Sequence, residues 1–193
     1  MASGKGLRVA GVNVDLAPVG DLSGEGSFMA REQRTFASPS AVVTEATVAF
    51  APGLVAEQVA AAVKHFPGIG RATRNTHRSA VEIAATRAEI MRSDLLPSRS
   101  AIGVGIPIVM ISNATYAALD PEPAPWSTKI QSLLRCELRF RGVTITYALD
   151  DAAASGGTNA AVCRRAGGHR PAAPGRKRGA SSAAAFERVV RSC

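Results

Sequence analysis

Two neighbouring segments carry the side chains best suited to chemistry. Lys64 and His65 stand side by side after the short apolar run 59–63 and are followed by a proline and two glycines, and Asn75 and His77 come soon after. An apolar run that leads into proline and glycine is typical of a buried element ending in a tight loop that presents polar side chains. Such a loop could bind a ligand, and an imidazole with a pKa near neutral could move a proton. A turn with a solvated lysine and a core histidine explains the same residues, so both interpretations stay open at this point.

Residues 64–70 resemble the Lys-His-Phe-Pro-Gly-x-Gly signature of family 3 glycoside hydrolases, in their bacterial β-N-acetylhexosaminidase branch. Three further segments resemble that branch in the same order, namely 11–19, 34–36 and 94–149, and the likeness extends from Leu7 to about Ala154. The resemblance implies a (β/α)8 barrel that hydrolyses O-glycosyl bonds of β-N-acetylhexosaminides, with a carbohydrate as its partner. It implies no cofactor, because this chemistry needs none.

The resemblance also implies catalytic positions, and two of them are altered. Tyr147 stands where the family has its carboxylate nucleophile, in Ile145-Thr146-Tyr147. A tyrosine can serve as a glycosidase nucleophile, but it needs a base to remove a proton whose reference pKa is about 10, and the sequence identifies no such base. His77 matches the family acid/base, whereas Asn75 replaces the aspartate that orients it. An exposed histidine in a loop is the alternative interpretation of His77. We therefore expect impaired or absent hydrolysis, with a non-catalytic sugar-binding relative or truncated remnant as the alternative.

The positions that bind substrate in the family match this sequence better than the catalytic positions do. Arg34, Lys64 and His65 match the family's sugar-binding residues, and Asn113 stands where the family often has a histidine. Arginine and lysine can donate hydrogen bonds to hydroxyl and acetamido oxygens, arginine with the more directional set of donors. A surface charge on the polar segment 31–34 is the alternative interpretation of Arg34.

The charge of the chain is concentrated at its C-terminal end. Residues 1–159 carry 15 basic against 14 acidic residues, or +1, whereas residues 160–193 carry 8 against 1, or +7. The charge therefore divides the chain into a near-neutral body over residues 1–159, which the resemblance makes a partial barrel domain, and an irregular basic tail over residues 160–193, which we expect to be disordered or degenerate. No aromatic residue alternates with the six basic residues between 164 and 178, which disfavours nucleic-acid binding by stacking.

Other classes of protein find no support in the sequence. No run of about 18 apolar residues predicts a membrane span. The first residues show no secretory signal, so a cytoplasmic location is the default expectation and the compartment is otherwise unassigned. The three cysteines and three histidines are scattered without the spacing of metal ligands, so no metal site is predicted.

The body of the chain reads as alternating strands and helices. Strands are predicted at 7–14, 59–63, 106–112 and 142–145, although 59–63 could also continue the preceding helix. One helix should bury Val42, Ala46, Ala49 and Phe50 and should end or kink at Pro52-Gly53. Another should begin after the N-cap Ser127 and bury Ile130, Leu133, Leu134 and Leu138, and a third should begin at Asp150.

This alternation predicts an α/β fold with a parallel sheet. The resemblance makes the sheet part of a (β/α)8 barrel, about strands 3 to 6. In such barrels the active site lies at the C-terminal ends of the strands, where Asp15, Lys64-His65, Ser112-Asn113 and Thr146-Tyr147 are predicted to lie. A partial barrel leaves two open sheet edges, and self-association through these edges could cover them.

Overall fold

The computed structural model describes residues 2–147. The predicted helix at Asp150, the boundary at residue 159 and the basic tail lie outside the described residues. The strands are β1 (Val14–Asp15), β2 (Ala60–Phe66), β3 (Ile108–Ile111), β4 (Thr115–Tyr116), β5 (Asp120–Pro123) and β6 (Val143–Thr146). The α-helices are α1 (Ala2–Val9), α2 (Phe28–Arg31), α3 (Ser40–Val55), α4 (Arg87–Glu89), α5 (Leu96–Gly103) and α6 (Thr128–Ser132), and π-helical turns follow α4 at Ile90–Asp94 and α6 at Leu133–Glu137.

Four parallel strands form the sheet that carries the site. Their order is β1-β2-β3-β6, so the sheet follows the order of the chain. Strand β3 is buried along its whole length, as a strand covered on both faces should be. The predicted α/β fold with a parallel sheet is therefore confirmed. Strands β4 and β5 form a separate antiparallel pair.

The N-terminal segment is a helix, so the prediction of a strand over residues 7–14 is wrong except for its last residue. Helix α1 ends in a Schellman motif, in which the Val12 amide donates to the Leu7 carbonyl at 2.9 Å and the Gly11 amide donates to the Arg8 carbonyl at 3.0 Å. Gly11 takes the left-handed conformation that this motif requires, with φ 78°. The β-branched residues that suggested a strand are too few to outweigh this local cap.

Helix α3 packs against α5 and β2 with a different face from the one predicted. Its buried residues are Val43, Thr47, Ala51 and Leu54. Of the predicted residues, Val42 is 48% exposed, whereas Phe50 is partly buried and packs against the core. The helix is apolar on several sides, so the spacing of apolar residues did not identify the buried face. Thr47 lies on that face, and a polar residue there made the face look exposed. The helix also continues past Pro52 to Val55. None of the helices within residues 2–147 has the length and apolarity that crossing a membrane requires.

The helix after Ser127 is confirmed together with its cap. The Ser127 hydroxyl oxygen accepts from the Ile130 amide at 3.0 Å, and the hydroxyl donates to the Asp120 carboxylate at 2.8 Å. Ile130, Leu133 and Leu134 are buried, as predicted. This cap satisfies one of the free amides at the start of the helix and joins it to β5.

The loop after β2 packs backbone to backbone against the segment at residues 20–24. A Cβ atom on Gly70 would lie 2.2 Å from the Leu22 carbonyl oxygen and 2.7 Å from the Leu22 nitrogen. Neither atom can move without displacing main chain, so only glycine fits at position 70.

We predict that Gly70→Ala lowers the free energy of unfolding by about 1–3 kcal/mol, the usual cost of overpacking. The matched control is Gly103→Ala at the end of α5, where a Cβ atom would meet nothing within 4 Å. The control should change stability by less than about 1 kcal/mol, in the stabilising direction. Urea unfolding of the full chain measures both changes, and equal effects of the two variants would contradict the close approach.

Candidate active site

The C-terminal end of β2 presents two polar side chains through a bulge. Lys64 pairs with Met110 and Phe66 pairs with Ile111, so His65 is an extra residue in β2. A bulge of this kind re-aims side chains and is common next to active sites. The peptide bonds Lys64–His65 and Phe66–Pro67 are both cis. The predicted placement of Lys64 and His65 at the end of the second parallel strand is thus confirmed.

Asp21 holds His65 from the loop that follows β1. The Nδ1–H of His65 donates to Asp21 Oδ2 at 2.6 Å, and both side chains are buried, with exposed fractions of 2% and 0%. The other carboxylate oxygen, Oδ1, accepts from the backbone amides of Ile69 at 2.9 Å and His65 at 3.3 Å. A carboxylate is acceptor-only when ionised, so Nδ1 carries the proton in this contact, and in the neutral imidazole Nε2 is then the acceptor.

The Nε2 atom of His65 is buried and has no hydrogen-bond partner within residues 2–147. A buried polar atom without a partner costs roughly 1–3 kcal/mol. The ring meets the ring of Tyr147 in a T-shaped arrangement, with centroids 5.1 Å apart and an interplanar angle of 83°. A ligand hydroxyl that donated to Nε2 would satisfy this atom.

Tyr147 and His77 meet at the end of β6. The Tyr147 hydroxyl and His77 Nε2 are hydrogen-bonded, and their ring centroids are 4.5 Å apart. Tyr147 directly follows β6, and its amide donates to the Ile111 carbonyl of β3 at 3.2 Å. The predicted site residues Tyr147, His77 and His65 therefore form one cluster at the C-terminal ends of the strands.

Glu32 links two other predicted site residues. Its Oε1 accepts from the side-chain amide of Asn75 at 3.5 Å, and its Oε2 lies 3.8 Å from the Arg34 guanidinium. The side-chain oxygen of Asn75 accepts from the His77 backbone amide at 2.9 Å. Asn75 therefore fixes the backbone of the loop that carries His77.

Lys64 lies among charges of both signs. Burial, together with repulsion from the Arg34 guanidinium, lowers the pKa of the Lys64 ammonium below its usual range, while the carboxylates of Asp15 and Asp21 oppose that shift. A lysine with a lowered pKa is a weakly hydrated donor that gains from a ligand oxygen. Lys64, Arg34 and Asp15 thus share one electrostatic environment.

The segment after β3 is buried and lies next to the end of β2, where the Ser112 amide donates to the Phe66 carbonyl at 2.9 Å. Asn113 is buried, with 1% exposure, and follows Ser112, whose hydroxyl is 2.8 Å from the Tyr116 hydroxyl. Tyr116 in turn donates to the Gly68 carbonyl at 3.0 Å, and burial raises the pKa of its phenol well above the usual range. Tyr116 is therefore a neutral donor that ties the β3 loop to the β2 loop.

An ion pair between the partly exposed Arg71 and the buried Asp94 anchors the β2 loop from the other side. The Arg71 Nε–H donates to both carboxylate oxygens of Asp94, at 3.1 Å and 3.0 Å. Burial raises the pKa of Asp94, and the Arg71 guanidinium opposes that shift. Within residues 2–147, no group of three or more His, Cys, Asp or Glu side chains could hold a metal ion.

Sequence reasoning missed Asp21 and Glu32. Asp21 hydrogen-bonds to a residue 44 positions away, so no local pattern announces the contact. Its one signal is an acidic residue between the apolar positions Val19 and Leu22. Glu32 lies in a polar stretch that looks like ordinary surface.

Comparison with known proteins decides the family. The model of the glycosyl hydrolase family 3 N-terminal domain matches residues 1–166. A β-hexosaminidase of Stenotrophomonas maltophilia (strain R551-3) is 36% identical over 159 residues, which are 81% of this chain and 47% of that protein. A β-hexosaminidase of Nitrosomonas eutropha is 36% identical over 137 residues, or 70% of this chain and 39% of that protein. The chain belongs to glycoside hydrolase family 3.

Solved structures agree with this membership. A family 3 β-N-acetylglucosaminidase from Paenibacillus sp. str. FPU-7 superposes with a TM-score of 0.79 at 29% identity, covering 86% of this chain and 33% of that one. A β-N-acetylhexosaminidase from Beutenbergia cavernae gives a TM-score of 0.74 at 29% identity, covering 84% and 50%. The chain is similar to proteins named as β-hexosaminidases and β-N-acetylglucosaminidases, and it spans half or less of the length of these relatives.

The contacts of Asp21 lead to a prediction about stability. An asparagine at position 21 offers one acceptor oxygen where the carboxylate satisfies three donors. Asp21→Asn should therefore lower the free energy of unfolding by about 1–3 kcal/mol, because at least one buried N–H loses its acceptor.

Glu25→Gln is the matched control, since Glu25 is exposed in the same loop. It should change stability by no more than about 0.5 kcal/mol. Urea unfolding at neutral pH compares the two amide variants. If both leave stability unchanged, Asp21 does not hold the loop.

Proposed function

We propose that this chain supplies the sugar-binding and proton-transfer groups of a glycoside hydrolase that acts on O-glycosyl bonds of β-N-acetylhexosaminides. Hydrolysis is impaired here, because Tyr147 occupies the nucleophile position. The observation that supports the proposal best is the buried Nε2 of His65, which has no hydrogen-bond partner within the described residues 2–147 and lies beside Lys64 and close to Tyr147 and His77. The curated relatives named β-hexosaminidase favour this substrate class.

Four residues are proposed to bind the sugar. Lys64 and Arg34 donate to hydroxyl and acetamido oxygens, and His65 accepts a sugar hydroxyl at Nε2. Asn113, buried directly after β3, adds an amide to the same end of the sheet. Several directed donors and acceptors hold the sugar so that its anomeric carbon stays in one position. This lowers the activation barrier, because the sugar loses its translational and rotational freedom on binding and not in the reaction step.

Two residues are proposed to move protons and charge. His77 is the acid/base, because its imidazole can protonate the leaving oxygen and later deprotonate water. Asn75 positions the loop of His77 through the backbone amide, but it adds no negative charge to stabilise an imidazolium. The missing carboxylates at positions 75 and 147 account for the impaired activity that we propose.

Restoring the carboxylate tests this function. Tyr147→Asp should raise the rate of hydrolysis of 4-nitrophenyl β-N-acetylglucosaminide by several orders of magnitude, since removing the nucleophile of an enzyme costs on the order of 10⁶-fold in turnover. The physical reason is that a carboxylate is ionised at neutral pH and needs no base, whereas a phenol does.

Tyr147→Asn is the matched control, because it has nearly the shape of aspartate but no charge, and it should give no gain. Hydrolysis by the aspartate variant should disappear again with Lys64→Ala, which removes a sugar donor. A folded aspartate variant that binds N-acetylglucosamine without hydrolysing the substrate would instead indicate a non-catalytic sugar-binding relative.

We also propose that the four parallel strands are part of a (β/α)8 barrel and that the chain self-associates through its sheet edges. Within residues 2–147, β1 and β6 each pair on one side only, and Val143 of β6 is 54% exposed. Unpaired strand edges are templates for pairing with another chain.

Sedimentation velocity at increasing concentration should show this association, and Val143→Lys should weaken it, since a charge on an edge strand blocks pairing. Val104→Lys is the matched control, because Val104 is 49% exposed at the end of α5 and away from both edges. Monomers at every concentration, or equal effects of the two lysines, would rule out pairing through β6.

A further inference from the structure

The Tyr147 hydroxyl has a base within hydrogen-bonding reach. Its partner is Nε2 of His77, a residue 70 positions earlier in the chain, so no sequence pattern announced the pair. A nucleophile and a base within hydrogen-bond reach, with the base held by a third group, is the recurring arrangement of nucleophilic catalysis. Asn75 holds the main chain at the base, because its side-chain oxygen accepts from the His77 backbone amide at 2.9 Å.

We propose that Tyr147 is itself a nucleophile, with His77 as its general base, and that the chain forms a glycosyl–tyrosine intermediate at a low rate. This inference rests on the proposed function, since it needs a sugar held by Lys64 and His65. It differs from simple loss of activity, because the phenol then performs the step that the missing carboxylate would perform.

The first half of the reaction balances on these two residues. Tyr147 Oη attacks the anomeric carbon while its proton passes to His77 Nε2. The bond between the anomeric carbon and the leaving group on the opposite face of the sugar ring breaks, and an activated leaving group such as fluoride or 4-nitrophenolate departs as the anion. His77 therefore acts in this half only as the base for Tyr147, and it keeps the tyrosine proton.

The second half reverses the roles. Water attacks the anomeric carbon from the opposite face and releases one proton to solvent, and the bond between the carbon and Tyr147 Oη breaks. The tyrosinate then recovers its own proton from the His77 imidazolium. The net reaction adds water across the glycosidic bond and leaves both residues as they began, so no co-reactant is required.

The surroundings of Tyr147 suit a nucleophile. Its ring is held between two imidazoles, with His65 at 5.1 Å and His77 at 4.5 Å between centroids, which limits the positions of Oη. His65 is in turn fixed by Asp21 at 2.6 Å. The reaction is slow for two reasons: the phenol must lose a proton with a reference pKa of about 10, and no carboxylate at position 75 stabilises the imidazolium.

The experiment traps the intermediate. The full chain, shown to be folded by near-ultraviolet circular dichroism, is incubated with 5-fluoro-β-N-acetylglucosaminyl fluoride. Its ring fluorine slows both steps while its good leaving group favours the first, so the adduct accumulates. Peptide mass spectrometry should place one fluorinated sugar on Tyr147. Tyr147→Phe keeps the ring and loses the hydroxyl, so it should give no adduct.

Variants of the loop test the base. His77→Ala should slow adduct formation by about 10²–10⁴-fold, the usual contribution of general-base catalysis. Arg78→Ala is the matched control, because Arg78 is the exposed neighbour in the same loop. It should leave the rate unchanged.

Running Tyr147→Asp in parallel separates the two proposals. If that variant hydrolyses the chromogenic substrate while the folded parent chain gives no adduct, or an adduct on another residue, the tyrosine nucleophile is overturned and the proposed function stands. If neither chain reacts and both are folded, both proposals fail. An adduct on Tyr147 that forms equally fast in His77→Ala overturns the role of the base.

Discussion

The buried carboxylate of Asp21 is the interaction on which the site depends. Taking a carboxylate out of water is costly unless donors replace the water, and Asp21 receives three: one imidazole N–H and two backbone amides. All three donors belong to residues 65–69. The hydrogen bonds that compensate for burying this one carboxylate therefore also hold the bulge at the end of β2 and the turn that follows it. Glycine at position 70 lets the main chain at Leu22 approach closely enough for this contact. The orientation of Lys64 and His65 is a consequence of that arrangement.

Two further contacts make the same loop rigid from other sides. Arg71 pairs with buried Asp94, and Tyr116 donates to the Gly68 carbonyl across the third strand. Each contact places a polar group away from water and satisfies it, which favours one conformation over many. A loop held at three points can keep Nε2 of His65 buried and without a partner among residues 2–147, because the loop cannot collapse to satisfy it. Preorganised atoms of this kind are what a ligand-binding site requires.

The sequence predicted those parts of the molecule that local patterns determine. Continuous apolar runs correctly predicted β3 and most of β2. Ser127, which precedes an apolar helix face, correctly predicted the N-cap of α6. The buried face of α3 was mispredicted because Thr47 lies in the core while Val42 and Val55 are about half exposed. The usual rule that apolar residues face the core and polar residues face solvent therefore fails in this helix. The contacts of the site join residues 44 and 70 positions apart. They exist only because parallel strands bring their C-terminal ends together, and a single sequence does not reveal which side chains meet there.

The position of Tyr147 explains how catalysis could change while the fold persisted. The residue follows the last strand at a half-buried site, where its ring packs on two histidines and fills no part of the hydrophobic core. An exchange between aspartate and tyrosine at a strand end leaves no cavity and buries no unpaired charge, the two mechanisms that most often destabilise a protein. The new ring even gains aromatic contacts, which are worth about 0.5–1.5 kcal/mol each. A variant without the ring gives up those contacts, so a change of activity at position 147 reports on the reaction only where the variant is shown to be folded.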